Sequence, residues 1–172
     1  MDPTAVAALL ASCAPLVAPA TASAVVATES AFNPHAIGVV GGVLVRQPRH
    51  RAEALATARA LRAAGWNFSV GLAQINQANF DRLGLDLEAA FDPCRNLAAM
   101  QAVLIECHAR ATTTRPPTQL ALRRALSCYY SGNFATGFHH GYVRRVVQAA
   151  AAPPFRPTTA TTPATTTTEE SS

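Results

Sequence analysis

The chain contains no lysine; all fourteen of its basic side chains are arginine. It has ten carboxylates, four cysteines and one tryptophan in 172 residues. These shortages exclude several classes. No stretch approaches the ~20 apolar residues of a transmembrane helix. The apolar segment 5–27 is broken by Pro15 and Pro19, and no basic region precedes it. It is therefore a poor signal peptide, which leaves the export route open. The arginines fall in pairs, Arg123-Arg124 and Arg144-Arg145, without a long basic run. That argues against nucleic acid as a partner. No Cys-x-x-Cys pair is present, which argues against zinc. His139 and His140 are adjacent, so their rings point apart, and no third ligand is evident. No metal and no cofactor are expected.

What is present points to helices. Nearly half of the residues are hydrophobic, enough for a core, and alanine outweighs the β-branched residues. We expect one mainly α domain over residues 1–150 and a disordered tail over 151–172. From Pro153 the sequence turns to proline, threonine, serine and glutamate, with no apolar face to bury. A net charge of +4 fits an anionic partner. The cysteines, Cys13, Cys94, Cys107 and Cys128, form either two disulfides or four reduced, buried thiols.

Helices are predicted over about 3–12, with Asp2 as cap and Pro3 in the first turn, and over 20–30, ending before Asn33-Pro34. Two β-rich runs flank Gly41-Gly42 within 36–47, a hairpin signal. Further helices are predicted over 51–64, 95–109, 118–130 and 141–150, with 71–83 helical in part. Helices 95–109 and 118–130 should run antiparallel. The start of one then faces the end of the other, which would pair Cys94 with Cys128 and leave Cys13 with Cys107.

Glu29 is the only aspartate, glutamate, histidine, lysine or arginine between Asp2 and His35. It lies in an apolar run, in the last turn of its predicted helix. Both the burial and the negative helix end should raise its pKa. A raised pKa is what a general acid working near neutrality needs. The plain alternative is a helix-end glutamate with its head in solvent.

Four segments, 29–34, 69–76, 125–133 and 141–143, combine an acid with amide, hydroxyl and aromatic groups; within them stand Glu29-Ser30, Gly71-Leu72-Ala73-Gln74, Cys128-Tyr129-Tyr130-Ser131-Gly132 and Tyr142-Val143. In order and spacing they resemble the lytic transglycosylases of lysozyme-like fold, in the VirB1-like branch of type IV secretion and conjugation systems. They match that family's E-S, G-L-M-Q, A-Y-N-A-G and Y-V motifs. Ala73 stands where the family has Met, and Tyr130 where it has Asn. Asp92-Pro93 and Asn96-Leu97 also fit a family D-P-x-x-N-L pattern. Segment 36–64 looks like the VirB1-type insertion between the first two motifs.

The resemblance implies a lysozyme-like (goose-type, SLT) domain with a small β-hairpin. It implies a periplasmic enzyme that cuts the β-1,4 bond from N-acetylmuramic acid to N-acetylglucosamine in peptidoglycan and leaves a 1,6-anhydro end. Its partners would be peptidoglycan and type IV secretion components. Glu29 would be catalytic, first as acid and then as base. Ser30, Ser69, Gln74, Tyr129, Tyr130 and Tyr142 would bind substrate. Plainer readings stand beside these roles. Ser30 could cap backbone, Gln74 could be satisfied by backbone, Tyr129 and Tyr142 could orient Glu29 or only pack helices, and Tyr130 could stack on a sugar or simply be exposed. A hydrolytic muramidase and a non-catalytic wall-binding assembly protein are the competing functions.

Overall fold

The computed structural model describes residues 1–152. The tail expected beyond Pro153 lies outside them. Asp2 caps the first helix, α1 (Pro3–Cys13), its carboxylate accepting from the Ala5 amide at 3.1 Å. Helix α2 (Pro19–Ser30) follows a short connector. It ends because Ala31 and Phe32 both take left-handed backbone, at φ 49° and 63°. Helix α3 (Arg51–Ala63) is amphipathic and buries Ala54, Leu55 and Ala58. Asp92 caps the long α6 (Pro93–Thr112) through the Arg95 amide at 2.9 Å. Helices α7 (Thr118–Ser131) and α9 (Tyr142–Ala151) complete the frame. Of three single-turn helices, α4 (Phe80–Leu83) falls in the segment expected to be helical in part, while α5 (Leu87–Ala90) and α8 (Thr136–His139) were not expected. They are too short to show a 3.6-residue period.

Helix α6 packs along α7 and α1, and α2 packs along α9. The core between them holds Val25, Val26, Phe68, Leu72, Leu97, Met100 and Val146, each at most 1 % exposed. Fully buried Ala22, Ala54, Ala58 and Ala90 let backbones approach closely. The alanine-rich composition is thus a packing device as well as a helix preference.

The β structure differs from expectation. Strand β1 (Ile37–Val39) pairs antiparallel with β2 (Phe68–Val70), and β2 with β3 (Ile75–Asn76). The hairpin is β2–β3, not a turn at Gly41-Gly42. Residues 40–47 form a loop in which Val43 and Val45 are fully or nearly fully exposed, so a second strand there would have no apolar face to bury. The outer edge of β1 is met instead by one side chain. The Gln47 amide accepts from the Ile37 N–H and donates to its carbonyl, both at 2.9 Å. Segment 71–83 correspondingly holds a tight turn, β3, a 3-10 turn (Gln77–Asn79) and only one helical turn.

Both cysteine pairs are bonded, in the connectivity Cys13–Cys94 and Cys107–Cys128. The expected pairing, Cys94–Cys128 with Cys13–Cys107, is corrected. The antiparallel arrangement of α6 and α7 is right, but α6 has 20 residues and α7 has 14. Cys128, near the end of α7, therefore falls beside Cys107 in the C-terminal half of α6, well short of Cys94 at its start. Cys94, at the start of α6, meets the end of α1.

Asn96 fixes the turn that joins β2 to β3. It is 1 % exposed, accepts from the Ala73 N–H at 2.8 Å, and donates to the carbonyls of Val70 at 3.0 Å and Ala90 at 2.8 Å. Gly71 stands against it at φ +80°, where a Cβ would come 2.4 Å from Asn96 Nδ2. Asn96→Ala leaves three buried backbone groups unpaired. We expect a loss of about 3–5 kcal/mol, read from the urea unfolding midpoint. A loss under ~1 kcal/mol would mean that the turn holds without this clamp.

Candidate active site

A cleft of about 620 Å³ opens between the small sheet and the C-terminal half of the molecule. Gly38, Val39, Val40, Ser69, Gln74 and Asn76 form its sheet wall, and Tyr129, Tyr130, Ser131 and His140 lie opposite. Glu29 reaches it from the last turn of α2. Among the described residues that line the cleft, Glu29 is the only carboxylate.

The surroundings of Glu29 set its chemistry. Burial raises its pKa from the usual carboxylate range to about 7, against a hydrogen bond from Tyr142 and the charge of Arg145, which both lower it. The Tyr142 hydroxyl donates to Glu29 Oε1 at 2.6 Å. Burial first, and then the neighbouring Glu29 charge, hold the pKa values of Tyr129 and Tyr142 well above the ordinary phenol value. Both phenols therefore stay protonated and can donate. Glu29 is half protonated near neutrality and has one oxygen oriented by a fixed donor. Such a carboxyl can give a proton to a leaving oxygen and take one back.

The other residues singled out in the sequence sort by what they touch. Tyr142 is 2 % exposed and meets Glu29 rather than open space. The Ser30 hydroxyl donates to the Leu72 carbonyl at 2.7 Å and to Val26 at 3.2 Å, tying the end of α2 to the 71–74 turn. It does not line the cleft. Tyr129 lines the cleft while its hydroxyl donates to the Ala73 carbonyl at 2.5 Å. Gln74, at φ 49°, donates through Nε2 to the carbonyls of Ala36 and Gly71, each at 3.0 Å. Its Oε1 faces Gly38, where a Cβ would lie 2.7 Å away, so a side chain there would have to displace the Gln74 amide. Ser69 lines the cleft and accepts from Asn76 Nδ2 at 3.2 Å. Tyr130 lines it too and is 41 % exposed.

Sequence reasoning missed Asn79, Thr136 and His140 as lining residues, and gave Asn76, at the end of segment 69–76, no role of its own. Asn76 could have been found through strand register, because it sits directly opposite Ser69. His140 was weighed only as a metal ligand. Among the described residues, no group of three histidine, cysteine, aspartate or glutamate side chains is arranged to hold a metal ion. No described helix is long and apolar enough to cross a membrane.

The model of the Transglycosylase SLT domain family matches residues 8–149. The type IV secretion system protein virB1 of Brucella abortus biovar 1 (strain 9-941) is 52 % identical over 141 residues, 78 % of this chain and 59 % of that protein. Protein virB1 of Agrobacterium fabrum (strain C58 / ATCC 33970) is 40 % identical over 139 residues, 80 % of this chain and 56 % of that one. The chain thus spans a little over half the length of these curated relatives. No solved structure gives a significant match. With a half-buried carboxylate at the end of a helix, the only one among the described residues that line the cleft, the β2–β3 turn beside it and the match over almost all described residues, the chain belongs to the transglycosylase SLT domain family.

Proposed function

We propose that this chain is a peptidoglycan lytic transglycosylase in which Glu29 is the only acid–base group. The observation that carries the reading is the single carboxylate among the described residues that line the cleft. A glycosidase that uses water works with two carboxyl groups roughly 5–9 Å apart. With one, the substrate must supply its own nucleophile. Protonated Glu29 gives its proton to the glycosidic oxygen, and the bond from that oxygen to C1 of the muramic residue breaks. The C6 hydroxyl of the same residue closes on C1, and its proton returns to Glu29. Atoms balance without water, and the intramolecular attack gains from proximity. Ser69, Gln74 and Tyr129 are the proposed sugar contacts from the walls. Ser30 and Tyr142 would support the site from behind. Residues 1–150 are the working domain in this reading.

The names of the virB1 relatives support a setting in type IV secretion, in which the enzyme would open the wall locally from the periplasm. Clearing of purified peptidoglycan, followed together with a reducing-end assay, tests the activity. The proposal expects clearing without new reducing ends. Reducing ends that rise in step with clearing would make the protein a muramidase. A folded chain that binds the wall and clears nothing would be an assembly protein.

Tyr142→Phe gives a further check. The lost hydrogen bond normally lowers the Glu29 pKa, so its removal raises it. We expect the alkaline limb of the pH–rate profile to move upward, with kcat reduced about tenfold because the carboxyl is less well oriented. A profile that keeps its wild-type limb would detach Tyr142 from the acid.

A further inference from the structure

We propose that Tyr130 is a positioning residue for the Glu29–Tyr142 pair and that His140 holds Tyr130 in that position. The inference rests on Glu29 being the acid. Its ground is a chain of contacts running from the cleft wall to the carboxyl. The Tyr130 ring stacks on Tyr142, with centroids 4.7 Å apart and planes 18° from parallel. The His140 ring meets Tyr130 edge-on, at 5.9 Å and 78°, and its Nδ1 lies 3.3 Å from the Tyr130 hydroxyl. Arg145 ties the far end, donating to the His140 carbonyl at 3.1 Å while its guanidinium lies 6.0 Å from the centre of the Tyr142 ring.

Burial divides the two tyrosines. Tyr130 is 41 % exposed and Tyr142 is 2 % exposed. Tyr130 therefore takes the solvent, and the ring that orients Glu29 stays covered. A stacked neighbour restrains the tilt of Tyr142, on which its 2.6 Å bond to Glu29 depends. It also keeps water from reaching the carboxyl along that side. The family motif carries Asn at this position, whose short side chain cannot cover a phenol ring. Since one face of Tyr130 is already stacked on Tyr142, the residue is poorly placed to be only a sugar platform.

The titratable groups that bear on Glu29 are Tyr142 and Arg145 from α9 and Tyr129 from α7. Tyr130 and His140 stand behind Tyr142. The sheet wall adds no titratable side chain, and α1, which packs on α2, has no charged side chain after its cap Asp2.

The test uses the full chain and purified peptidoglycan, with Tyr130→Asn, Tyr130→Phe, His140→Ala and the His140→Ala/Tyr130→Asn double variant. Melting curves check that each is folded. Tyr130→Asn is expected to lower kcat about tenfold, to leave KM within about twofold, and to move the alkaline limb of kcat to lower pH as water reaches Glu29. Tyr130→Phe, the conservative variant, keeps the stack and restores most of kcat and the wild-type limb. His140→Ala lowers kcat alone but has no further effect once Tyr130 is Asn, as expected for two members of one unit.

A raised KM with unchanged kcat and pH limb would make Tyr130 a sugar platform and overturn the proposal. An equal effect of His140→Ala in both backgrounds would overturn the role of His140. Glu29→Gln is measured alongside. If it is inactive while Tyr130→Asn matches wild type, only this proposal falls. If Glu29→Gln stays active, the assignment of the acid falls and this proposal falls with it.

Discussion

Glu29→Gln should give a protein that is more stable at alkaline pH and almost inert toward peptidoglycan. The two effects have one cause. The Glu29 pKa is about 7 in the folded chain and 4.5 without its surroundings, because burial disfavours the charge. The folded state therefore binds the proton more tightly than the unfolded state. Below the unfolded value the carboxyl is neutral in both states and costs nothing. As pH rises through the unfolded value toward the folded one, folding becomes progressively more costly, and above about 7 the whole cost is present. Taken at face value the shift corresponds to about 3 kcal/mol, and solvent in the cleft reduces this to roughly 1–2 kcal/mol. Glutamine does not titrate and can still accept from Tyr142. Its advantage should thus appear near pH 8 and vanish near pH 4, as read from urea midpoints at the two values. An equal gain at both would mean that the charge on Glu29 is not the cause. The same substitution removes the only acid among the described residues that line the cleft, so kcat should fall by ~10²–10⁴. A pronounced stability gain joined to a loss of activity is the mark of a site that stores unfavourable electrostatics for use.

Removal of Cys13–Cys94 should cost the fold most. This bond joins the end of α1 to the start of α6 across 81 residues of sequence. The loop-entropy relation gives about 4–5 kcal/mol for a closure of that length. Cys107–Cys128 spans 21 residues, for which the same relation gives about 3 kcal/mol. The Cys13→Ser/Cys94→Ser variant should melt roughly 10–15 °C below wild type, and the Cys107→Ser/Cys128→Ser variant less far below. Activity should rank the other way. Cys128 immediately precedes Tyr129 and Tyr130 at the end of α7, so the shorter bond braces one wall of the cleft. Calorimetry and clearing rates on the two double variants would separate the roles. The reverse ranking would show that α1 shapes the cleft more than α7 does.

Some of this was legible in the sequence because the physical signal is local. Glu29 stood out as the one charge in a long apolar stretch, and Asp2 was readable as a cap from the proline beside it. The helical frame followed from alanine content and from breaks at proline and glycine. Other features depend on distances that no local pattern records. The disulfide connectivity turned on the relative lengths of α6 and α7. The strand partners turned on Gln47 meeting the outer edge of β1, and on Val43 and Val45 having nothing to pack against. Asn96 could be matched to a motif, yet its work as a three-way backbone clamp appears only when β2, the 71–74 turn and α5 come together. His140 was passed over as a lining residue because the adjacent histidines were weighed only as metal ligands, and its place against Tyr130 depends on how α8 and α7 meet.

The most direct test of the account is the digestion of purified peptidoglycan in water enriched in heavy oxygen, with mass spectrometry of the soluble fragments from wild type and Glu29→Gln. The account expects muramic ends lighter by one water than a hydrolysed end, carrying no label, abundant with wild type and missing with the variant. Labelled reducing ends from wild type would contradict the intramolecular route, and unlabelled anhydro ends from Glu29→Gln would contradict the assignment of the acid.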